Sequence, residues 1–572
     1  MRLKRSIFFF LILIFATPCC KHTNIPDIPA VEEEPVVVFS DEAGAYSESP
    51  KVITLSAPSG HRIYYTKDGS IPTTESHHYS HPIILTEEGN RWVDKSAVEK
   101  MSIKIDGRLI NPISVSSDLP AANVIRAMAV APDGTQGKVV TKTYFIGTDL
   151  KNEYHNVMAI SIATDPENLL DYEKGILATG KIFDEWSSTS EAISVMANNE
   201  WWKVVANYTQ KGKDWERPIS IEFFDNSNSL SHQQDAGLRL KGRASRMFGQ
   251  KSFNIYFRES YGEKGLSYPV FPGFPVKAFS LRNGGNDTKY LKFKDSWIQS
   301  RLRDKAFSTQ LGRIAVVFIN GEYWGHYSLE ERYDDRYVEN HYGVKDPLII
   351  KEGEVEEGKD SDIQLYKDLL LFADKDLSDE SEWQAFKQVM DVRSMADYYA
   401  AEIYICNKDW MQDVNTELWR SLSVDPSNPY ADGRWRFILF DTEYSSALYE
   451  QYETSASYDS FAKAMNDHPL FASAVRNPEF QAMFKESIHD MADRCFEPGD
   501  VEKDLKAWGE RWYPYMPDYY KRFGDSTSWA WSRYMDLTNR FFKDRAAHIL
   551  PAVEKGLSEA IQDKEDTDGG AS

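Results

Sequence analysis

The residue types that phosphoryl transfer needs stand together in two stretches, "ICNKDWMQDVNTELW" (405–419) and "RWRFILFDTEYSS" (434–446). Asp409 and Asn415 lie just past an apolar helical run, and Asp441 and Glu443 follow an apolar strand-like one. Acidic and amide groups at such places are costly to bury unless a cation sits among them. One carboxylate can orient or deprotonate an attacking hydroxyl, while an Asn and a second Asp hold Mg²⁺ against nucleotide phosphates. Asp413, inside the first stretch, competes with Asp409 for the role of base.

Three earlier segments can complete such a site. "GLRLKGRASRMFGQKSFNIYF" (237–257) reads as two strands around a loop rich in Gly and cations, where backbone and charge can both approach a phosphate. Lys251 begins the second strand with its side chain free to reach across. In 289–312 the spacing of Ile298, Leu302 and Ala306 predicts a helix, with Arg301, Arg303 and Asp304 off its apolar face. "RIAVVFINGEYWGHYSLEE" (313–331) predicts a hairpin that ends in Glu330 and Glu331. A lysine on an early strand, a helix, a hairpin, a loop with Asp and Asn, then a strand ending in Asp is the linear order of a protein kinase. No G-x-G-x-x-G is present, so any cover over the phosphates must come from the basic hairpin.

From about residue 155 to 550 the chain resembles the CotH (spore coat protein H) family of atypical secreted protein kinases. The resemblance is carried by "NVMAISIATDPENLLDYEKGILATG", "LRLKGRASRMFGQKSF", "INGEYWGHYSLEE" and the pair "NKDWMQDVN" and "WRFILFDTE", in that order. It implies that Asp409 is the catalytic carboxylate and that Asn415 and Asp441 are metal ligands, with Glu443 supporting the second acidic site. It further implies that Lys251 contacts the phosphates and that Arg239, Arg243 and Ser245 line them. The implied cofactors are Mg²⁺ and ATP, and the implied acceptor is Ser or Thr of a surface or envelope protein. Glu443 stands where the resemblance expects Asp, one methylene longer than the tight Mg²⁺ geometry favours.

The elements that must position these groups read as an α+β chain. The body, 150–556, is strand-rich first and helix-rich second, and the resemblance implies an atypical kinase-like fold of two lobes. Ser394 reads as the N-cap and Asp397 as N3 of the helix that leads to Asp409. Ahead of the body, 50–147 alternates short β-branched and aromatic runs with turns at Asp68-Gly69 and Asp133-Gly134, the pattern of an all-β sandwich. "RIYYTKDGSIPTTESHHYSHPIILTE" (62–87) resembles the small accessory β-sandwich of chitobiases and β-hexosaminidases, a candidate for glycan contact. Glycoside hydrolysis has no identifiable carboxylate pair behind it.

The start, "MRLKRSIFFFLILIFATPCC", has basic residues before an apolar run too short to span a bilayer, which predicts an export signal over 1–20. Cys19 or Cys20 resembles a bacterial lipoprotein acceptor, so a lipid-anchored envelope protein is expected. Residues 21–49 read as a Pro/Glu-rich tether and 557–572 as a disordered tail. Cys406 and Cys495 can pair in an exported protein. The formal net charge of −22 argues against nucleic acid as a partner. The alternative to an enzyme is a catalytically inactive surface protein of the same fold, acting as a scaffold or a binding module for glycan or protein.

Overall fold

The computed structural model describes residues 36–105, 107–524 and 528–569. The predicted export signal, Cys19, Cys20 and most of the predicted tether lie outside the described residues. The chain is α+β. Strand pairing starts earlier than the tether reading allows: Val38–Phe39 pairs with Leu55–Ser56, and Gly44–Tyr46 joins the sheet with Val140–Ile146. The cause is the apolar run through Val37 and Phe39, both buried in the sandwich core.

In the N-terminal unit a five-stranded sheet has the spatial order Gly44–Tyr46, Val140–Ile146, Asn123–Val130, Arg62–Thr66 and His77–His78. Gly134, at φ 92°, turns the hairpin between the second and third of these, and Asp133 accepts the Thr135 amide there. The unit is not purely β. Between its strands the chain inserts the helix Lys95–Met101 and a small hairpin, Ile103–Ile105 with Arg108–Ile110, and buries Val98, Met101 and Ile103 in the core of the body.

The body opens with a closed barrel of seven strands: β1 (Met158–Ala163), β2 (Arg217–Asp225), β3 (His232–Lys241), β4 (Ser252–Tyr256), β5 (Ala278–Arg282), β6 (Gly312–Ile319) and β7 (Glu322–Glu331). Neighbours run in the order β1-β2-β3-β4-β5-β7-β6, closed by parallel pairing of β6 with β1. Alternate residues such as Ile160/Ile162, Ile221/Phe223, Leu238/Leu240 and Phe279/Leu281 are buried in one core, as the two-residue period of a strand requires. The β6–β7 turn is Asn320-Gly321, both at positive φ, the primed turn that matches strand twist.

The helix α1 (Lys294–Arg301) follows β5. It is shorter than the sequence spacing suggests: Ile298 and Leu302 are buried, but Ala306 falls beyond its end. A second sheet is fully antiparallel: β9 (Glu354–Glu357), β8 (Pro347–Lys351), β10 (Glu417–Ser421) and β11 (Arg436–Ile438), in that spatial order. Between β9 and β10 runs α2 (Val392–Ile405), packed on α3 (Pro478–Asp490). Asp391, not Ser394, caps α2, its carboxylate accepting the Ser394 amide at 3.2 Å. Ser394 is buried and accepts the Phe437 amide instead (3.0 Å), and Asp397 accepts from Ser487 Oγ (2.6 Å). Cys406 and Cys495 are free thiols, both buried, and the pairing left open by the sequence is not made. The later helices α4 (Pro498–Trp512), α5 (Met516–Phe523) and α6 (Ser528–Gly569) complete the body. The tail expected to be disordered from 557 is helical to Gly569, because buried Val553 and Leu557 carry α6 past the predicted boundary.

The two units share buried surface. Phe145 of the sandwich meets Phe224 and Phe318 of the barrel edge-on, at 5.4 and 5.0 Å between ring centres. Trp92 stacks on Trp324 at 5.2 Å. Glu322 is the polar pin: it accepts the amides of Trp92 (3.0 Å) and Val93 (3.3 Å) and pairs with the buried Arg522 of α5. Arg522→Ala leaves the buried Glu322 carboxylate with only the looser Arg91 contact at 3.9 Å, and should cost about 3–5 kcal/mol of body stability in urea unfolding. A loss within experimental error of zero would show that Glu322 does not depend on Arg522.

Candidate functional site

A cavity of about 540 Å³ opens between the end of the barrel and the second sheet. Its barrel side is built by Lys241 at the end of β3, the loop Gly242–Arg246, Arg282 at the end of β5, and the turn Asn283–Asn286. Lys351, Glu352, Asp409, Asn415, Asp441 and Glu443 form the facing side. Asp409, Asn415, Asp441 and Glu443, separate in sequence, therefore share one cavity with Arg243 and Ser245. Two glycines make the barrel wall possible. Gly242 has φ 104°, and a Cβ there would meet Ser245 Oγ at 2.1 Å. Gly285 has φ 54°, and a Cβ there would sit 1.8 Å from Glu443 Oε1.

Arg282 organises the acidic side. Its Nη1 donates to Asp295 (2.7 Å), and its Nη2 to Glu443 (2.7 Å) and to Asp441. Burial opposes its charge, but Glu443, Asp295 and Asp441 together hold the guanidinium more firmly ionised than usual. Asp295 also accepts the amide and hydroxyl of Thr442 (2.9 and 2.7 Å), fixing the residue between the two acids. Asp441 is at φ 60°, a left-handed conformation that this network keeps in place. Burial pushes the Glu443 carboxyl up to about 8 in spite of Arg282, with Asp441 and Asp295 adding to the rise.

The loop after α2 sets Asp409. Cys406 closes the helix in the left-handed conformation, and Asn407 then donates to buried Glu402 (3.0 Å) while accepting the Asp409 amide (3.3 Å). Asn415 donates to the Asp409 carbonyl at 2.6 Å, which leaves its Oδ1 for another partner. Burial, and then the charge of Asp441, hold the Asp409 carboxyl above its ordinary value, which makes it a better proton acceptor. Asp413 is turned elsewhere, accepting from Tyr366 at 2.6 Å, and does not line the cavity.

The cationic residues distribute differently from the sequence expectation. Lys251 does not line the cavity: its Nζ donates to the carbonyls of Arg246 (2.7 Å) and Phe248 (3.2 Å) and lies 4.1 Å over the Tyr208 ring. Arg239 is paired with Glu216 at 2.6 Å and also lies outside the lining. Lys241 takes the place at the cavity wall, with Nζ 3.2 Å from Ser280 Oγ. Burial lowers its ammonium to about 8, against the charge of Glu330. Arg243 does line the cavity and bridges it to the second sheet through Glu352 (2.5 Å). Glu330 and Glu331 are buried rather than a solvated strand end; Glu330 accepts from Ser296 Oγ and Gln310 Nε2, both at 3.0 Å. Reasoning from sequence missed Lys241 and Arg282, although "SLRNGGND" carried a signal: an arginine ending a strand, with a glycine pair one residue further on.

For a metal, the donor set fits in part. Among the described residues no group of three or more His, Cys, Asp and Glu side chains converges on one point. Mg²⁺ needs less: one or two carboxylates, with phosphate and water supplying the rest. Asp441 and Asn415 Oδ1 offer that hard-oxygen set, with Asp409 in the same cavity. Glu443 does not fit as a direct ligand, since Oε2 is held by Arg282 and Oε1 accepts the Asn286 amide (3.0 Å). Its place is behind Asp441, holding Arg282 and the glycine turn.

The family model described as CotH kinase protein matches residues 238–549, more than half of the chain and all of the cavity residues named from Lys241 to Glu443. The chain belongs to the CotH kinase family. A second family model, Fn3 associated, matches 53–144, so the accessory sandwich of this CotH chain is Fn3-associated rather than shown to be of chitobiase type. No curated protein matches the chain.

Glu402 gives a pH test of the loop that carries Asp409. Burial raises its carboxyl from 4.5 to about 8, and its Oε1 has no hydrogen-bond partner among the described residues. The folded state therefore binds this proton more tightly than the unfolded state, and the stability it contributes is lost as pH rises from 4.5 to about 8. The urea midpoint of the wild type should fall more steeply between pH 5 and pH 8 than that of Glu402→Gln. Parallel profiles would show that Glu402 is ionised in the fold.

Proposed function

We propose that this CotH-family chain is an exported, lipid-anchored atypical protein kinase that transfers the γ-phosphate of Mg-ATP to Ser or Thr of a surface or envelope protein. The observation that carries the reading is the placement of Asp409, Asn415 and Asp441 in one cavity, with Lys241 and Arg282 on its other wall. The body is read as two kinase-like lobes: the barrel with its glycine turns on one side, the second sheet and helices on the other. Mg²⁺, when bound with ATP, supplies neutralisation of phosphate charge. Asn415 and Asp441 would hold it, and Lys241, Arg243 and Ser245 would face the phosphates.

Asp409 accepts the proton of the acceptor hydroxyl; its raised basicity suits that step. Glu443 and Asp295 position Arg282, and Arg282 in turn aligns Asp441. The accessory sandwich is read as a surface contact module. It presents exposed His77 and His78 at a sheet edge, backed by half-buried Tyr65 and buried Tyr64, in keeping with its likeness to a chitobiase module and with glycan contact. Anchoring through Cys19 or Cys20 rests on the sequence of the first twenty residues.

One observation favours a second reading. Arg282 already neutralises Asp441, which a retained but inactive scaffold would also need. Transfer from γ-labelled ATP to envelope protein separates the two. Asp409→Asn should lower the wild-type rate about 100-fold or more while nucleotide binding is kept. Folded wild type that labels nothing across a broad set of envelope proteins would favour the scaffold.

A further inference from the structure

A second cavity, of about 800 Å³, shares no lining residue with the first. One wall is a face of α4, where Lys503, Asp504, Ala507, Trp508 and Arg511 recur at helical spacing. The other walls are the end of α1 with Arg303, the start of β6, and the turn at Arg494–Cys495. Six cationic side chains line it against two acidic ones. Three of the cations are already matched: Arg301 to Asp504 (3.1 Å), Arg313 to Asp225 (2.7 Å) and Arg494 to Asp490 and Asp304. Arg303, Lys503 and Arg511 are exposed and have no carboxylate partner among the described residues. The Arg511 guanidinium lies over the Trp508 ring, 4.6 Å from its centre. Of the two lining carboxylates, Asp500 has no cationic partner among the described residues.

In a chain of net charge −22, three unmatched cations converging on one cavity form a local field opposite to that of the whole molecule. Two guanidinium forks and one ammonium are the set that takes phosphate, the forks by paired hydrogen bonds and the ammonium as a point charge. The volume is too large for a single anion and suits a segment of a larger ligand. We propose that this cavity binds a phosphorylated segment of a protein through Arg303, Lys503 and Arg511. The choice of a phosphoprotein rests on the kinase reading; the affinity for phosphate does not.

The test is calorimetry on the full chain without nucleotide, using a phosphoserine peptide and its unphosphorylated twin. The phosphopeptide should bind at least about tenfold more tightly than the twin. Lys503→Ala/Arg511→Ala and, independently, Arg303→Ala should each remove about tenfold or more of that affinity, and Asp441→Ala should leave it unchanged. All three cavity side chains are exposed, so an unchanged unfolding midpoint will confirm that their variants fold. Equal affinity for the two peptides, no binding, or phosphopeptide binding indifferent to the cavity variants would overturn the proposal. Failure of the kinase reading would appear elsewhere, as absent nucleotide binding with phosphopeptide binding intact.

Discussion

Arg282 is buried at the end of a barrel strand, at the cavity wall, and donates to three carboxylates that arrive from α1 and from the segment after β11. A buried guanidinium is tolerated only when paired and hydrogen-bonded, and buried carboxylates such as Asp295 and Glu443 are tolerated only beside such a cation. Each side of the cavity therefore makes the other possible. Removing Arg282 would leave buried Asp295 and Glu443, and half-exposed Asp441, without their shared cation, with Glu443 already driven towards its neutral form.

The remaining structure fixes the two ends of this charge cluster. On the barrel side, Lys292 is buried and donates to Gln250 Oε1 and to the Asn283 carbonyl, both at 2.7 Å, and lies 4.0 Å over the Tyr519 ring. It anchors the turn in which Gly285 lets Glu443 approach. On the helical side, Lys294 donates to the carbonyls of Ser445 and Ser446, tying α1 to the chain just after the second acidic pair. Both lysines sit in or beside the strand–turn–helix that follows β5, so one short stretch serves both halves of the body. The accessory sandwich is joined to the same barrel through Glu322 and its aromatic contacts, and contributes no residue to the cavity lining.

Much of the site was legible because its residue types are unusual where they stand. Acids and an amide after apolar runs ask for a cation wherever they occur, and Asp409, Asn415 and Asp441 do share one cavity. Which lysine faces the cavity is a matter of geometry. Lys241 pairs with Ser252 across the β3–β4 ladder, and Lys251 is the residue before Ser252, so strand alternation sends the two side chains to opposite faces. Nothing in composition sets that register. Arg282 was passed over because a single arginine ending a strand is common; its meaning lies in partners 13, 159 and 161 residues away. The cap of α2 was misplaced by three residues because Ser394 and Asp391 are both good caps, and a tertiary bond to Phe437 claims the serine.

The central claim is that Asp441, with Asn415 and Asp409, makes a magnesium-dependent nucleotide site opposite Lys241. Calorimetry of ATP binding to the full chain tests it most directly, run with Mg²⁺ and with EDTA for wild type and Asp441→Ala. The account predicts binding by wild type that requires Mg²⁺ and disappears in Asp441→Ala, with the fold intact. Absence of binding by folded wild type, or binding indifferent to both EDTA and Asp441→Ala, would contradict it.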